Sequence, residues 1–183
     1  MIAVLDRTAS LGIATELGEV FATAFAGEEH SDGVRFATEQ LPTHAARDDF
    51  RLVAARLPQP GPLDTSGGPV VGFAYGFTGW PGQWWSDRIA AAISPDLAAE
   101  WIGGHFEVVE LAVVPEAQGR GIGAALMTAL VDGLPHRRML LTTYADDRTA
   151  PRLYRRLGWQ VLVQDLGWGS ALYGLDTGVP GID

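Results

Sequence analysis

The stretch that most restricts this chain runs from Glu107 to Leu134, EVVELAVVPEAQGRGIGAALMTALVDGL. Glu107 to Val114 reads as an apolar strand stopped by Pro115. Ile122 to Leu134 reads as a helix with an apolar stripe at Leu126, Leu130 and Val131. Between them Gln118-Gly119-Arg120-Gly121-Ile122-Gly123 opens directly onto the helix. Glycines let the backbone approach a ligand closely, and a helix start offers unpaired N–H groups at a positive dipole end. Such a turn is an anion cradle, and phosphate is its usual occupant.

The flanking sequence alternates around this centre. Thr15 to Phe25 is amphipathic, with Leu17, Val20, Phe21 and Ala24 at helical spacing, and Arg35 to Gln40 starts a shorter helix before Pro42. Phe50 to Leu57 and Val70 to Thr78 read as a strand hairpin around a Pro/Gly/Ser-rich tip, Pro58 to Gly68. Gly79 to Trp85 is an aromatic loop, followed by helices over Ser86 to Ile93 and Pro95 to Ile102. Met139 to Tyr144 is a strand, Thr149 to Leu157 a helix, and Gln160 to Leu166 and Ser170 to Leu175 close the pattern as strands. A β-α-β-α-β core over 107–166 predicts an α/β domain with partly parallel central strands. A single domain is expected over the 183 residues.

Composition removes several chemistries. There is no cysteine, so no disulfide, thiolate nucleophile or Cys-ligated metal. All 13 basic residues are Arg, which excludes a Schiff base and a lysine-bearing P-loop. The four His (30, 44, 105, 136) show no metal-ligand spacing, and His105 is expected to be structural. No apolar run spans a bilayer and Met1 to Arg7 does not resemble a secretory leader, so a cytoplasmic protein is expected. The net charge of −9 argues against nucleic acid. Residues 120–156 nevertheless hold seven Arg against three Asp, a local +4 that suits an anionic ligand.

Gly119-x-Gly121-x-x-Ala124 also fits a dinucleotide fingerprint, with Asp146 or Asp147 after the next strand. Pro115 to Gln118 intervene where that turn should follow its strand at once, and too few residues remain for the rest of such a domain. The stretch instead resembles motif A of the GNAT superfamily of N-acetyltransferases, Q/R-x-x-G-x-G/A after a strand. Gln118, Gly121 and Gly123 match it, preceded by Leu111-Ala112-Val113-x-Pro115. Residues 146–162, DDRTAPRLYRRLGWQVL, resemble the second family signature at Ala150, Tyr154, Gly158 and Trp159. Asp147 stands there in place of the usual Asn, and Trp159 in place of Phe. The resemblance covers 106–162.

The resemblance implies a mixed α+β sheet whose parallel central strands splay around acetyl-CoA, with helices on both faces. It implies that backbone groups of Leu111, Ala112 and Val113 meet the pantetheine arm, and that Gln118, Gly119, Arg120, Gly121, Ile122, Gly123 and Ala124 hold the pyrophosphate. Asp147 and Tyr154 would line the cofactor, and Arg120, Arg148 or Arg152 would meet further phosphate. Tyr154 occupies the family's general-acid position, although Ala150, Leu153, Tyr154 and Leu157 also suit a plain helix core. Glu110 is the first choice of base and Glu107 the second, with relay through water a third route. Simple alternation puts the two Glu on opposite faces unless the strand is bulged.

Without cysteine, direct attack in a ternary complex is favoured over an acetyl-enzyme. The expected acceptor is the amine of a small molecule or peptide, drawn in by the acidic N-terminal two-thirds. Trp80, Trp84 and Trp85 suit either an acceptor pocket or a homodimer interface. A catalytically silent CoA sensor, another acyl donor, and a dinucleotide oxidoreductase are the alternatives.

Overall fold

The computed structural model describes residues 1–27, 32–58, 67–146 and 149–178. Along them run β1 (Ile2–Leu5), α1 (Arg7–Gly12), α2 (Ala14–Ala24), α3 (Gly33–Arg35), a π-helical segment (Phe36–Gln40), α4 (Leu41–Ala45), β2 (Arg51–Arg56) and β3 (Val70–Gly79). There follow α5 (Trp84–Ala92), α6 (Pro95–Trp101), β4 (His105–Val113), a 3-10 turn (Pro115–Ala117) and α7 (Ile122–Val131). The chain closes with β5 (Arg138–Tyr144), α8 (Thr149–Arg156), β6 (Gln160–Val163) and β7 (Ser170–Asp176). Strand order is β1-β2-β3-β4-β5-β7-β6. The sheet is mixed, because β4 and β5 are parallel (Phe106↔Met139, Glu107↔Leu140) while β1-β2-β3 and β5-β7-β6 pair antiparallel. The α/β expectation with a parallel central pair holds.

Packing divides the chain into two compact units, Met1–Phe77 with Val109–Asp132, and Thr78–Val108 with Gly133–Asp183. In the first, Leu17, Val20 and Phe21 of α2 bury against Leu52, Phe73 and Tyr75 of the β2–β3 hairpin. Phe36 joins them, stacked on Phe21 at 4.5 Å between ring centroids. The helices α2 and α3 touch backbone to backbone: a Cβ on Gly18 would collide with the Gly33 carbonyl oxygen, and one on Gly33 with that of Gly18. In the second unit, Ile89 of α5 and Trp101 of α6 cover Leu140 of β5 and Leu172 of β7. Ser94 caps α6 by accepting the Leu97 N–H at 3.3 Å, with Pro95 in the first turn.

Several sequence expectations shift. The helix expected to end before Pro42 runs on through Leu41–Ala45. The π segment makes this tolerable: the Leu41 N–H reaches back to Phe36 O, five residues away. A widened turn of this kind relaxes the clash that a proline ring makes with the preceding turn. Trp84 and Trp85 belong to α5 rather than to the loop before it. The last-but-one strand stops at Val163. β1 and α1 were not read from the sequence, although Asp6 caps α1 through the Ala9 N–H at 2.8 Å. The hairpin tip at 59–66 and the tail at 179–183 lie outside the described residues.

Inside the first unit His44 Nδ1 lies 2.8 Å from the Tyr75 hydroxyl, which also accepts from Gln40 Nε2 at 3.3 Å. Burial, with Arg47 nearby, lowers the His44 pKa from 6.5 to about 4. The unfolded chain therefore takes up this proton before the folded one. His44 contributes stability that is full above pH 6.5 and drains away as pH falls toward 4. The urea midpoint is expected to fall over that window, and less steeply in His44→Gln. In the same assay Gly18→Ala and Gly33→Ala are each expected to cost about 1–3 kcal/mol, since neither backbone can withdraw without opening the helix contact.

Candidate functional site

The cradle forms within the first unit, where β4 leaves the sheet. The Val114 N–H still pairs with Val71 O at 3.0 Å, and Ala117 N–H then turns back to Val114 O at 2.9 Å. Gln118 closes this turn with its own side chain, donating from Nε2 to Val113 O at 2.9 Å. Sequence reasoning gave Gln118 a ligand-facing role only through its backbone; its side chain instead braces the strand end. Gly119 and Gly121 adopt φ of +72° and +79°, which L side chains rarely hold, and nothing lies within 4 Å of a Cβ built on either. The loop is therefore turned by its glycines and open on their side-chain side.

Helix α7 starts at Gly121 with no side chain capping it. Its first internal bond is Ala125 N–H to Gly121 O at 3.0 Å, leaving the amides of Ile122, Gly123 and Ala124 before it without a helical acceptor. Leu126, Met127 and Leu130 bury the other side of the helix. At its far end Arg51 of β2 donates from Nη2 to Ala129 O at 3.0 Å, a cation on the negative dipole end. The sequence offered no sign of that brace, which joins residues 78 positions apart. Gln118, Gly119, Arg120 and Gly121 are exposed, Ala112 is buried, and Leu111, Val113, Ile122, Gly123 and Ala124 are half-buried.

The two candidate bases part company. Glu107 is 5% exposed and lies in the second unit, whereas Glu110 is half-buried and lies with the cradle. The strand that carries both is irregular. Gly104 N–H bonds Gly79 O and Val114 N–H bonds Val71 O. Between these bonds β3 advances from 71 to 79 and β4 from 104 to 114, eight steps against ten. The surplus in β4 is an irregularity of the bulge type.

Tyr154 is 7% exposed on α8 in the second unit. Its surroundings explain the spacing of the second signature. Gly158 has φ of +88°; its N–H bonds Arg155 O at 3.1 Å, and the Trp159 N–H reaches Tyr154 O at 3.1 Å. This is a Schellman termination, and its usual apolar contact is supplied by the Tyr154 and Trp159 rings, 6.2 Å apart. Tyr173 packs on Tyr154 as well, at 6.0 Å. Tyr154 thus has a structural role whatever else it does. Asp147 and Arg148 lie outside the described residues.

The arginine island is partly committed elsewhere. Arg138 pairs with Glu100 at 2.9 Å and lies over Trp101, and Arg137 pairs with Asp176 at 3.4 Å. Arg120 and Arg152 are exposed. Trp84 is 71% exposed and shares the Arg88 guanidinium with Trp168, at 5.2 and 4.4 Å from the two rings. His105 and His136 are fully buried, and His136 Nε2 shares a hydrogen bond with Thr78 Oγ1 at 2.8 Å. Among the described residues no three His, Asp or Glu side chains are grouped to hold a metal.

With this geometry in place, comparison with known proteins is informative. The model of the Acetyltransferase (GNAT) family matches residues 28–159. The chain is 39% identical over 113 residues to the GCN5-like protein acetyltransferase Rv2170 of Mycobacterium tuberculosis, covering 57% of this chain and 55% of that one. It is 41% identical over 73 residues to a mycothiol acetyltransferase of an Arthrobacter species, covering 37% of this chain and 23% of the relative. It thus spans about half the length, or less, of these curated relatives. Arabidopsis thaliana NAA60 in complex with acetyl-CoA has a similar fold, with a TM-score of 0.63, 20% identity, and coverage of 97% of this chain and 99% of that one.

The Schellman termination gives a direct test. Gly158→Ala is expected to cost about 1 kcal/mol or more, because the alanine must hold a left-handed conformation. Thermal unfolding followed by circular dichroism reads it. Trp159→Ala is expected to cost more, since it also removes an indole that is 3% exposed.

Proposed function

Because the chain belongs to the GNAT acetyltransferase family, we propose that it transfers an acetyl group from acetyl-CoA to the amine of a small molecule or peptide. One observation carries this reading: two left-handed glycines lead into the uncapped N-terminus of α7, one 3-10 turn after β4. Three amides, at the half-buried residues Ile122, Gly123 and Ala124, suit a pyrophosphate in number and in the sign of their charge. The open space beside Gly119 and Gly121 suits a ligand lying against the backbone. Arg120 adds a cation beside them.

In this reading the neutral amine attacks the thioester carbonyl in a ternary complex. An N–C bond forms as the C–S bond breaks, with backbone amides stabilising the oxyanion. Glu110 takes the amine proton, with Glu107 or a water as the alternative acceptor. Tyr154 returns a proton to the departing sulfur, and Asp147 contacts the cofactor. With no cysteine in the chain, an acetyl-cysteine intermediate plays no part. Residues 1–183 act as one catalytic domain in the cytoplasm. No helix among the described residues is long and apolar enough to cross a membrane.

Calorimetric titration with acetyl-CoA, with NADH as control ligand, is the first experiment. Binding of acetyl-CoA alone is expected, and binding of NADH alone would overturn the reading. A panel of amines, scored by released thiol, then separates a transferase from a silent CoA-binding sensor. Tyr154→Phe is expected to lower kcat by about 100-fold or more while leaving acetyl-CoA affinity nearly intact. Glu110→Gln is expected to flatten the rise of kcat with pH; an unaltered profile transfers the role to Glu107 or to water.

A further inference from the structure

Helix α5, in the second unit, has two sides of different character. Trp85 and Ile89 pack in the cluster that holds Trp101, Leu140 and Leu172. Trp84 and Arg88, four residues apart and so on one side of the helix, are both exposed. Trp168 reaches the same guanidinium from the turn between β6 and β7. Gly167 and Gly169 flank it with φ of +91° and +75°. The Leu166 N–H to Ser170 O bond at 2.7 Å closes this turn, and the Ala145 N–H to Gly169 O bond at 3.0 Å ties it to the end of β5. Leu166 is buried in the same cluster as Ile89, so one core anchors the supports of both indoles.

The central carbon of the Arg88 guanidinium lies 5.2 Å from the Trp84 ring centre and 4.4 Å from that of Trp168. Such contacts hold a cation through the ring quadrupoles and use no hydrogen-bond acceptor. Among the described residues Arg88 has no hydrogen-bond or ion-pair partner. Two carboxylates on the same turns are engaged elsewhere: Asp87 Oδ1 accepts the Gly82 N–H and Asp165 Oδ1 the Gly167 N–H, each at 2.8 Å. By contrast, Arg35, Arg56, Arg137 and Arg138 each meet a carboxylate within 3.4 Å. In a chain of net charge −9, Arg88 is thus a positioned cation whose N–H donors are uncommitted.

We propose that Trp84, Arg88 and Trp168 form a binding site for a carboxylate carried on a flat apolar group. The guanidinium fork matches the two oxygens of a carboxylate. The indoles already hold the long arginine side chain, which lowers the entropy lost when a ligand binds it. Trp84 is 71% and Trp168 41% exposed, so both rings keep apolar surface for the group that carries the carboxylate. Asp87 and Asp165, exposed on the same two turns, decide between anions. They repel a doubly charged phosphate about twice as strongly as a singly charged carboxylate.

The full chain, labelled with nitrogen-15, tests this by NMR titration with sodium benzoate at low ionic strength. Arg88→Lys, Trp84→Phe and Trp168→Phe assign the three side-chain N–H signals. The Arg88 Nε–H and both indole N–H signals are expected to move together along one saturable curve. Arg88→Gln is expected to weaken benzoate by about 10-fold or more. Arg88→Lys, which keeps the charge but loses the fork, should weaken it as well. Trp168→Ala is expected to cost about 3-fold or more. All three side chains are exposed, and unchanged backbone signals elsewhere verify the fold of each variant. No saturable shift, or undiminished affinity in Arg88→Gln or Arg88→Lys, overturns the site. Phosphate binding as tightly as benzoate overturns the choice of carboxylate, and acetate binding as tightly overturns the part given to the rings. None of these readings uses acetyl-CoA, so this proposal and acetyl transfer fail separately.

Discussion

The mismatch between β3 and β4 is the constraint on which the rest depends. Two adjacent strands bonded at Gly79–Gly104 and again at Val71–Val114 must advance together, yet the chain takes ten steps from 104 to 114 where it takes eight from 71 to 79. Something in β4 has to leave the ladder, and ladder groups that leave are free to meet a ligand. The strand carries both candidate bases and leads through the 3-10 turn into the glycine loop. A regular strand would have exposed Glu107 and Glu110 to opposite faces.

Left-handed glycines do two opposite jobs. Gly121 starts α7 without a side-chain cap and leaves its first amides to whatever occupies the cradle. Gly158 ends α8 and spends its freedom on satisfying carbonyls, through the bonds of Gly158 to Arg155 and Trp159 to Tyr154. The same conformation therefore opens a site in one place and closes a helix in the other. A third group of glycines acts by close approach: Gly18 with Gly33, and Gly79 with His105, where a Cβ has no room.

Much of the architecture was legible in the sequence because it rests on local periodicity. The helices from α5 to α8, the β2–β3 hairpin and the parallel centre were read within a few residues of their observed bounds, as was the cradle with its glycines. The misreadings have physical causes. β1 is four residues long and exists through its pairing with β2, from Ile2↔Ala55 to Leu5↔Leu52, which no local pattern encodes. Pro42 reads locally as a stop, whereas the widened turn before it closes through the Leu41 N–H to Phe36 O bond. Arg51 looked like any strand arginine, although its partner is a helix carbonyl 78 residues away.

The sequence by itself determined the element order from β2 onward, the glycine turn that opens α7 and the exclusion of cysteine and lysine chemistry, since these follow from residue type, spacing and local conformational preference. Tertiary structure alone decided that Gln118 braces the strand end, that Tyr154 and Trp159 seal a helix terminus, and that His105 is buried with its Nδ1 accepting the Gly103 N–H. Those outcomes depend on distances between groups far apart in the chain and on the removal of water around them. Neither quantity is carried by local spacing.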